Sequence, residues 1–379
     1  MKSVSALIKP ASSLCNLRCR YCFYCDVAAH RETESFGVMT PQVAHAIADR
    51  LIDAAEEGGS VLFSFQGGEP TLAGVDFFRD FTAYAEKKNG GKCKLSYAIQ
   101  TNGMALDEEF CTLLSQYRFL VGLSLDGDEV THNYNRVDAA GRGTHKQVMQ
   151  AVRLLRMHGV DFNILSVVTE TMAKHPQAVF QFYKKNGMDF LQFIPCLRPL
   201  DESGRGAVPD SPHAHAPYTL RPRTYSEFLI RTFRLWTAEL LAGRQLSIRL
   251  FDNIIGMYLG MPPEQCGVYG KCQNQIVIEG DGSVYPCDFY VLDEFVCGNV
   301  LTDSVETLLG GAGAQKFLAM DPPRHARCAT CKFLPMCGGS CKRYRDFFSE
   351  EPDFCPYEHF LASVQDDIAR LVHFFRARR

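Results

Sequence analysis

Sixteen cysteines stand in a chain of 379 residues, and their spacing is the feature best suited to chemistry. Cys15, Cys19 and Cys22 follow the first apolar run as C-x3-C-x2-C, with Tyr21 directly before the last. Three thiolates on one short loop can hold three irons of a [4Fe-4S] cluster and leave the fourth open to a ligand. A zinc loop is the competing reading of the same spacing. Cys25 adds a second register, because Cys19, Cys22 and Cys25 form C-x2-C-x2-C. Far along the chain come Cys266, Cys272, Cys287, Cys328, Cys331, Cys337, Cys341 and Cys355. Eight thiolates suffice for two fully ligated [4Fe-4S] clusters or for two zinc sites, so the count sets the number of sites and not the metal. The N-terminus lacks the apolar stretch and cleavage site of a secretory signal, which places the chain in the cytoplasm. Thiols there are kept reduced, so ligation accounts for the cysteines better than disulfides do.

The elements that must position these residues are legible from Val4 to about Pro195, where β-like and helix-like runs alternate as in stacked βα units around a parallel sheet. Six strands are expected, at Val4–Ile8, Ser60–Gln66, Lys94–Gln100, Leu120–Leu125, Asp161–Val168 and Phe190–Pro195. Thr40 and Pro41 suit an N-cap and first helical residue ahead of Val43, Ile47 and Leu51. Further helices fit Val75–Lys87, Asp107–Gln116, Thr144–His158 and Lys174–Asn186. Six such units predict an α/β fold, a partial (β/α)6 TIM-like barrel short of the eight of a full one. Cys15 to Cys22 then follow the first strand. Gln66-Gly67-Gly68-Glu69-Pro70 ends the second, where glycines let a ligand approach the backbone.

Residues 198–223 are rich in proline and read as an irregular excursion whose His213 and His215 are solvent-facing. Thr224 and Glu227 predict a capping box for the next helix. From Cys266 the chain is turn-rich and cysteine-dense, as a small domain organised by metal sites would be. The expected division is 1–225, a connecting helical segment 226–265, and 266–379 with a C-terminal helix.

The first cysteine loop and the Gly-Gly-Glu-Pro run together resemble the radical S-adenosylmethionine (SAM) superfamily, whose cluster loop follows the first strand of a partial barrel. The resemblance selects Cys15, Cys19 and Cys22 over the register with Cys25. It implies that the open iron chelates SAM, that one electron splits it to a 5'-deoxyadenosyl radical, and that Gly68 and Glu69 contact its amino group. By the same resemblance Tyr21, Ser124, Arg136 and Leu197 are SAM contacts. The run Cys328 to Cys341, C-x2-C-x5-C-x3-C with Cys355 beyond it, resembles the SPASM domain of radical SAM enzymes that modify peptides and proteins. Carried over, Cys266, Cys272, Cys287 and Cys341 bind one auxiliary [4Fe-4S] cluster, and Cys328, Cys331, Cys337 and Cys355 the other. Three clusters result in all. Cys25, Cys93, Cys111, Cys196 and Cys297 remain as buried small hydrophobes.

Within that group, Tyr285-Pro286-Cys287-Asp288-Phe289-Tyr290-Val291 is similar to the anaerobic sulfatase-maturating enzymes, which oxidise a sulfatase cysteine or serine to Cα-formylglycine. The likeness implies that Asp288 is the general base. Without it, Asp288 reads as a turn residue after a strand. Tyr24 and Gln66 are expected at the same barrel mouth, holding the substrate peptide. The implied partners are an unfolded or nascent sulfatase bearing Cys/Ser-x-Pro/Ala-x-Arg, and a reductant such as flavodoxin or ferredoxin. The alternative is a SPASM maturase that crosslinks a ribosomally made peptide. Such enzymes often carry a leader-binding domain, and only 14 residues precede Cys15. A zinc or electron-transfer protein would need neither the open cluster nor the Gly-Gly rim. A net charge of −3 without a long basic block gives no nucleic-acid footprint, and no apolar run reaches a membrane-spanning length.

Overall fold

Period-two burial builds the first strand: in β1 (Ser3–Ile8) Val4, Ala6 and Ile8 are buried while Ser3 and Ser5 face water. β2 (Ser60–Phe65), β3 (Lys94–Thr101) and β4 (Leu120–Ser124) follow in parallel, with Ile8 opposite Phe65, Phe65 opposite Ile99 and Thr101 opposite Leu123. β5 (Phe162–Val168) and β6 (Phe190–Pro195) complete the six expected strands. Each end lies within one residue of its expected position. The computed structural model describes residues 1–201 and 216–378, so His213 and His215 lie outside the described residues.

The chain forms two compact units. One comprises Met1–Ser124, Arg136–Phe162 and Gln273–Met320, and the other Leu125–Asn135, Asn163–Cys272 and Asp321–Arg379. In the first, β8 (Val277–Ile278), the antiparallel β9 (Ser283–Tyr285) and β10 (Gly298–Asn299) extend the sheet beyond β1, giving the order β10-β9-β8-β1-β2-β3-β4. In the second, β5 and β6 continue into β7 (Ser247–Ile248), all parallel. β7, which precedes this unit's helix Arg249–Tyr258, and β8–β10 were not among the expected strands.

Helices form where apolar spacing and caps coincide. Thr40 caps Pro41–Ala54 by accepting from the Val43 amide, and Asp107 caps Glu108–Gln116 by accepting from Phe110. The expected Lys174–Asn186 helix runs from Pro176 to Lys185, and a separate short helix, Glu170–Ala173, precedes it, because Pro176 has no amide to continue the first. The expected capping box at Thr224 does not form. Pro222 starts the helix Pro222–Leu241, with Arg221 at its N-cap, and the Thr224 hydroxyl donates to Glu170 Oε1 at 3.0 Å. Proline's fixed φ suits the first helical position and moves the start ahead of Thr224. Aromatic rings fill both cores. Phe65 packs edge-on against Phe78 and Phe81 in the first unit, and Phe233, Trp236 and Phe251 meet in the second.

Candidate active site

Three neighbouring strand ends of the first unit deliver polar residues to one rim. Ile8 lies opposite both Phe65 and Ile278, so the next residues, Lys9, Gln66 and Glu279, emerge side by side. Backbone bonds lock them: the Gln66 amide donates to Ile8 and the Lys9 amide to Ile278, at 2.9 and 2.8 Å. After Glu279, the turn through Gly282 (φ +88°) reverses the chain into β9, which leads to Cys287 and Asp288. Parallel strand ends are where α/β folds place ligands.

Asp288 is 8% exposed and is held on both sides. Its Oδ2 accepts from the Tyr24 hydroxyl at 2.7 Å and from Gln66 Nε2 at 2.8 Å, and Gln66 also donates to Tyr24. Lys9 Nζ lies 3.2 Å from Oδ1, which makes no hydrogen bond of its own. Tyr24 and Gln66, expected to hold substrate, therefore first hold the carboxylate. Burial and the Asp288 charge push the Tyr24 phenol well above its ordinary range, so it stays a neutral donor. Behind Lys9, Glu279 sits 3.7 Å from Nζ and accepts from Arg31 at 2.7 Å. Burial alone would raise the Glu279 carboxyl, but the Lys9 and Arg31 charges outweigh it and lower the pKa.

Sequence reasoning missed Lys9, Arg31 and Glu279. A signal for Glu279 exists, since Ile276-Val277-Ile278 followed by Gly280-Asp281-Gly282 and Ser283-Val284-Tyr285 is a hairpin pattern. For Lys9 the only signal is its place after the apolar β1.

The cysteine loop lies against the same rim. None of the sixteen cysteines forms a disulfide, and of the five expected to be buried hydrophobes Cys25 is instead exposed, on the short helix after Cys22, while Cys93, Cys111, Cys196 and Cys297 are buried. The Leu17 amide and Asn102 Nδ2 both point at Cys15 Sγ, at 3.4 and 3.8 Å, as donors to cluster sulfurs do. Burial raises the Cys15 thiol to about 11, while a hydrogen bond with Cys25 is the main reason that Cys22 falls to about 6. The glycines of the Gly-Gly-Glu-Pro run lie directly against this loop. A Cβ on Gly68 would stand 2.2 Å from the Leu14 carbonyl oxygen, and one on Gly67 (φ +125°) 2.9 Å from that of Ser12. Glu69 is fully engaged within the protein. Its carboxylate accepts from the Thr71 amide and hydroxyl, the Thr101 hydroxyl and the Asn102 amide, at 2.6 to 3.1 Å. Burial nonetheless raises its pKa.

Of the other expected SAM contacts, Ser124 is buried at the end of β4, and the Arg136 guanidinium lies over the Tyr21 ring at 5.4 Å. These are in the first unit, whereas Leu197, just after β6, belongs to the second.

In the second unit Cys337 is raised to about 11, by burial first and then by negative charge on Cys355, Cys328 and Cys331. Cys341, also raised to about 11, is pushed up by burial and then by Cys272 and Cys266. The thiols thus feel one another's charge, and bound iron would displace their protons. Cys287 lies in the first unit. Among the described residues no three His, Cys, Asp or Glu side chains are gathered to hold a single metal ion. A four-iron cluster instead takes each thiolate to its own iron, and the grouped thiols fit that donor set.

Comparison with known proteins decides the family. Residues 10–181 match the radical SAM superfamily and residues 266–332 an iron-sulfur cluster-binding domain, SPASM. A cysteine-type anaerobic sulfatase-maturating enzyme of Clostridium novyi is 40% identical over 375 residues, covering 98% of this chain and 97% of that protein. The chain belongs to the anaerobic sulfatase-maturating enzymes. A serine-type member of the family from Bacteroides thetaiotaomicron is 28% identical over 373 residues, covering 95% of this chain and 87% of that protein. The solved structure of native anSMEcpe with bound AdoMet and Cp18Cys peptide superposes with a TM-score of 0.88 at 36% identity, covering 98% of this chain and 99% of that one. As a member of the family, this chain is a radical SAM enzyme that generates formylglycine, with the α/β radical SAM core and SPASM domain expected from its sequence. SAM and iron-sulfur clusters are its cofactors. No helix among the described residues is long and apolar enough to cross a membrane.

Proposed function

We propose that Asp288 is the general base of formylglycine formation and that the substrate side chain is a cysteine. Bound SAM and the clusters supply the radical that removes a β-hydrogen and the sink for one electron. The protein's part is to remove the thiol proton, so that loss of proton and electron together leaves a thioaldehyde, which water hydrolyses to the aldehyde with release of hydrogen sulfide. The observation that carries the reading is the saturation of Asp288 Oδ2 by Tyr24 and Gln66 while Oδ1 makes no hydrogen bond. That oxygen, ion-paired with Lys9 at 3.2 Å but without a hydrogen bond, is the one left to take a proton. An ordinary thiol and carboxylate differ by about 4.6 pKa units, about 6 kcal/mol uphill, so the transfer must be coupled to electron loss and shielded from water. Burial of Asp288 supports this shielding. Cysteine is favoured over serine by the 40% identity to cysteine-type against 28% to serine-type relatives.

In this reading Cys15, Cys19 and Cys22 bind the SAM cluster, and Tyr21, Gly68, Glu69, Ser124, Arg136 and Leu197 surround SAM. The set Cys266, Cys272, Cys287 and Cys341 and the set Cys328, Cys331, Cys337 and Cys355 bind two auxiliary clusters. Residues 1–225 form the barrel and 266–379 the SPASM domain, joined by 226–265. The substrate is an unfolded sulfatase segment with Cys-x-Pro/Ala-x-Arg in the cytoplasm, and a flavodoxin or ferredoxin supplies electrons. The test is an anaerobic reaction of Asp288→Asn with SAM, reductant and a Cys-x-Pro-x-Arg peptide, read by mass spectrometry. Release of 5'-deoxyadenosine with little aldehyde is expected. Near-normal aldehyde would remove Asp288 as the base.

A further inference from the structure

Lys9 is an unusual residue to bury. A lysine ammonium is rarely taken out of water without a partner, yet Lys9 is 3% exposed. Its stem is clamped: a Cβ on Gly67 would meet Lys9 Cβ and Cγ at 3.2 and 3.3 Å. Its head faces Asp288 Oδ1 at 3.2 Å, Glu279 Oε1 at 3.7 Å and the Tyr24 ring, whose centroid is 4.8 Å away. Arg31, whose side chain is 2% exposed, anchors Glu279 and also donates to the Glu34 carbonyl at 2.6 Å. Two cations and two anions thus close a balanced buried group in which only Asp288 has been given chemistry.

We propose that Lys9 is the positioning residue of Asp288, pairing with Oδ1 while Tyr24 and Gln66 hold Oδ2, so that the carboxylate plane is fixed from both ends. Glu279 and Arg31 fix Lys9 in turn. Neutral donors on Oδ2 alone leave the carboxylate able to swing about its χ2 bond, a torsion with broad wells. The ammonium on the far oxygen removes that freedom, and the close packing of its stem against Gly67 removes its own. The inference rests on Asp288 acting as the base.

The experiment is a double-variant cycle on the cluster-loaded enzyme, measuring aldehyde formed per 5'-deoxyadenosine released, with iron and sulfide content and thermal unfolding recorded for each protein. Lys9→Met is expected to bind iron and cleave SAM while aldehyde per 5'-deoxyadenosine falls by about a hundredfold, the scale of a misplaced reacting group. In the Asp288→Asn background the same substitution should lower the ratio no further, because Lys9 has nothing left to position. A Lys9 that merely stabilises the fold would lower 5'-deoxyadenosine and aldehyde together and add its loss to that of Asp288→Asn. Unfolding provides a second readout. Lys9→Met leaves two buried anions against Arg31, and the double variant restores balance, so its midpoint should lie above that of Lys9→Met. Should Lys9→Met fail to load clusters, the comparison of Asp288→Asn with the double variant decides, a further drop in ratio overturning the proposal. A normal ratio in Lys9→Met also overturns it. If Asp288→Asn keeps a normal ratio, the base assignment itself fails. An uncoupled Asp288→Asn beside a coupled Lys9→Met overturns only the role of Lys9.

Discussion

Gly68→Ala is the sharpest test of how the cysteine loop is seated. The added methyl would stand 2.2 Å from the Leu14 carbonyl oxygen and 2.6 Å from the Ser13 carbonyl carbon and oxygen. All three are backbone atoms and cannot rotate away. Ordinary contact needs more than 3.4 Å, so relief requires moving the loop by about 1 Å, against the Gly68 and Glu69 amides that donate to Ser12 and Leu14 at 2.9 and 2.7 Å. Overpacking of this kind costs about 3 kcal/mol at its upper end, about a hundredfold in the population of the correctly seated loop. Because Cys15 directly follows Leu14, the expected loss is in cluster retention, measured as iron and sulfide per chain after anaerobic reconstitution and as SAM-dependent 5'-deoxyadenosine formation. Gly90→Ala is the control. Gly90, unlike Gly68, is left-handed (φ +53°), but nothing lies within 4 Å of an added Cβ, so the cost is about 1 kcal/mol of backbone strain and the iron content should not change. Full iron and normal SAM cleavage in Gly68→Ala would refute the claim that the cysteine loop is seated against Gly68.

Wild-type enzyme should hold about twelve irons if three four-iron clusters form, and Cys337→Ala should lower the count to about eight. Cys25→Ala should leave it unchanged; a drop equal to that of Cys22→Ala would restore the competing register. Glu279 contributes to stability with a definite sign. Its carboxyl is lowered below 4.5, so its contribution is present above that pH and is lost as pH falls through the folded value. Acid unfolding of Glu279→Gln, followed by circular dichroism, should therefore begin from lower stability at pH 7 and show a shallower loss between pH 5 and 3. An acid limb as steep as wild type would contradict the pairing with Lys9 and Arg31. Glu69→Gln should destabilise by about 1–3 kcal/mol, because its amide nitrogen cannot accept from all four donors that now converge on the carboxylate; an unchanged denaturant midpoint would refute that account.

The six barrel strands were legible because each is a short apolar run bounded by turn residues, and the helices because caps such as Thr40 and Asp107 adjoin apolar spacing. The cysteine runs were legible because their ligands lie close in sequence. The hairpin β8–β9 escaped for want of length: β8 is two residues long, too short for alternation to show. Its pairing with β1 spans some 270 residues of sequence, and no local pattern reports such a contact. The same gap hid Lys9 and Glu279, whose meaning lies in which strand ends are neighbours. Gly67 and Gly68 were recognised for their position, but a glycine's sequence context does not say which backbone comes close, and the Ser12–Leu14 backbone lies against both.

The pairing of β8 with β1 also bears on why Asp288 is linked to the cysteine loop at all. A carboxylate on a free turn beside Cys287 would have no fixed relation to residues near Cys15. By adding β8 to the edge of β1, the fold makes Ile278 the neighbour of Ile8 and sets Glu279 beside Lys9. Lys9 is three residues from Ser12, whose backbone oxygen accepts from Gly68 under the loop. Asp288 thus shares a lysine with the strand that leads into the cysteine loop. Substitutions that loosen β8, such as Val277→Pro, which removes an amide within the strand, should uncouple aldehyde formation before they impair SAM cleavage. Parallel loss of both activities would mean that β8 supports the whole rim and not Asp288 in particular.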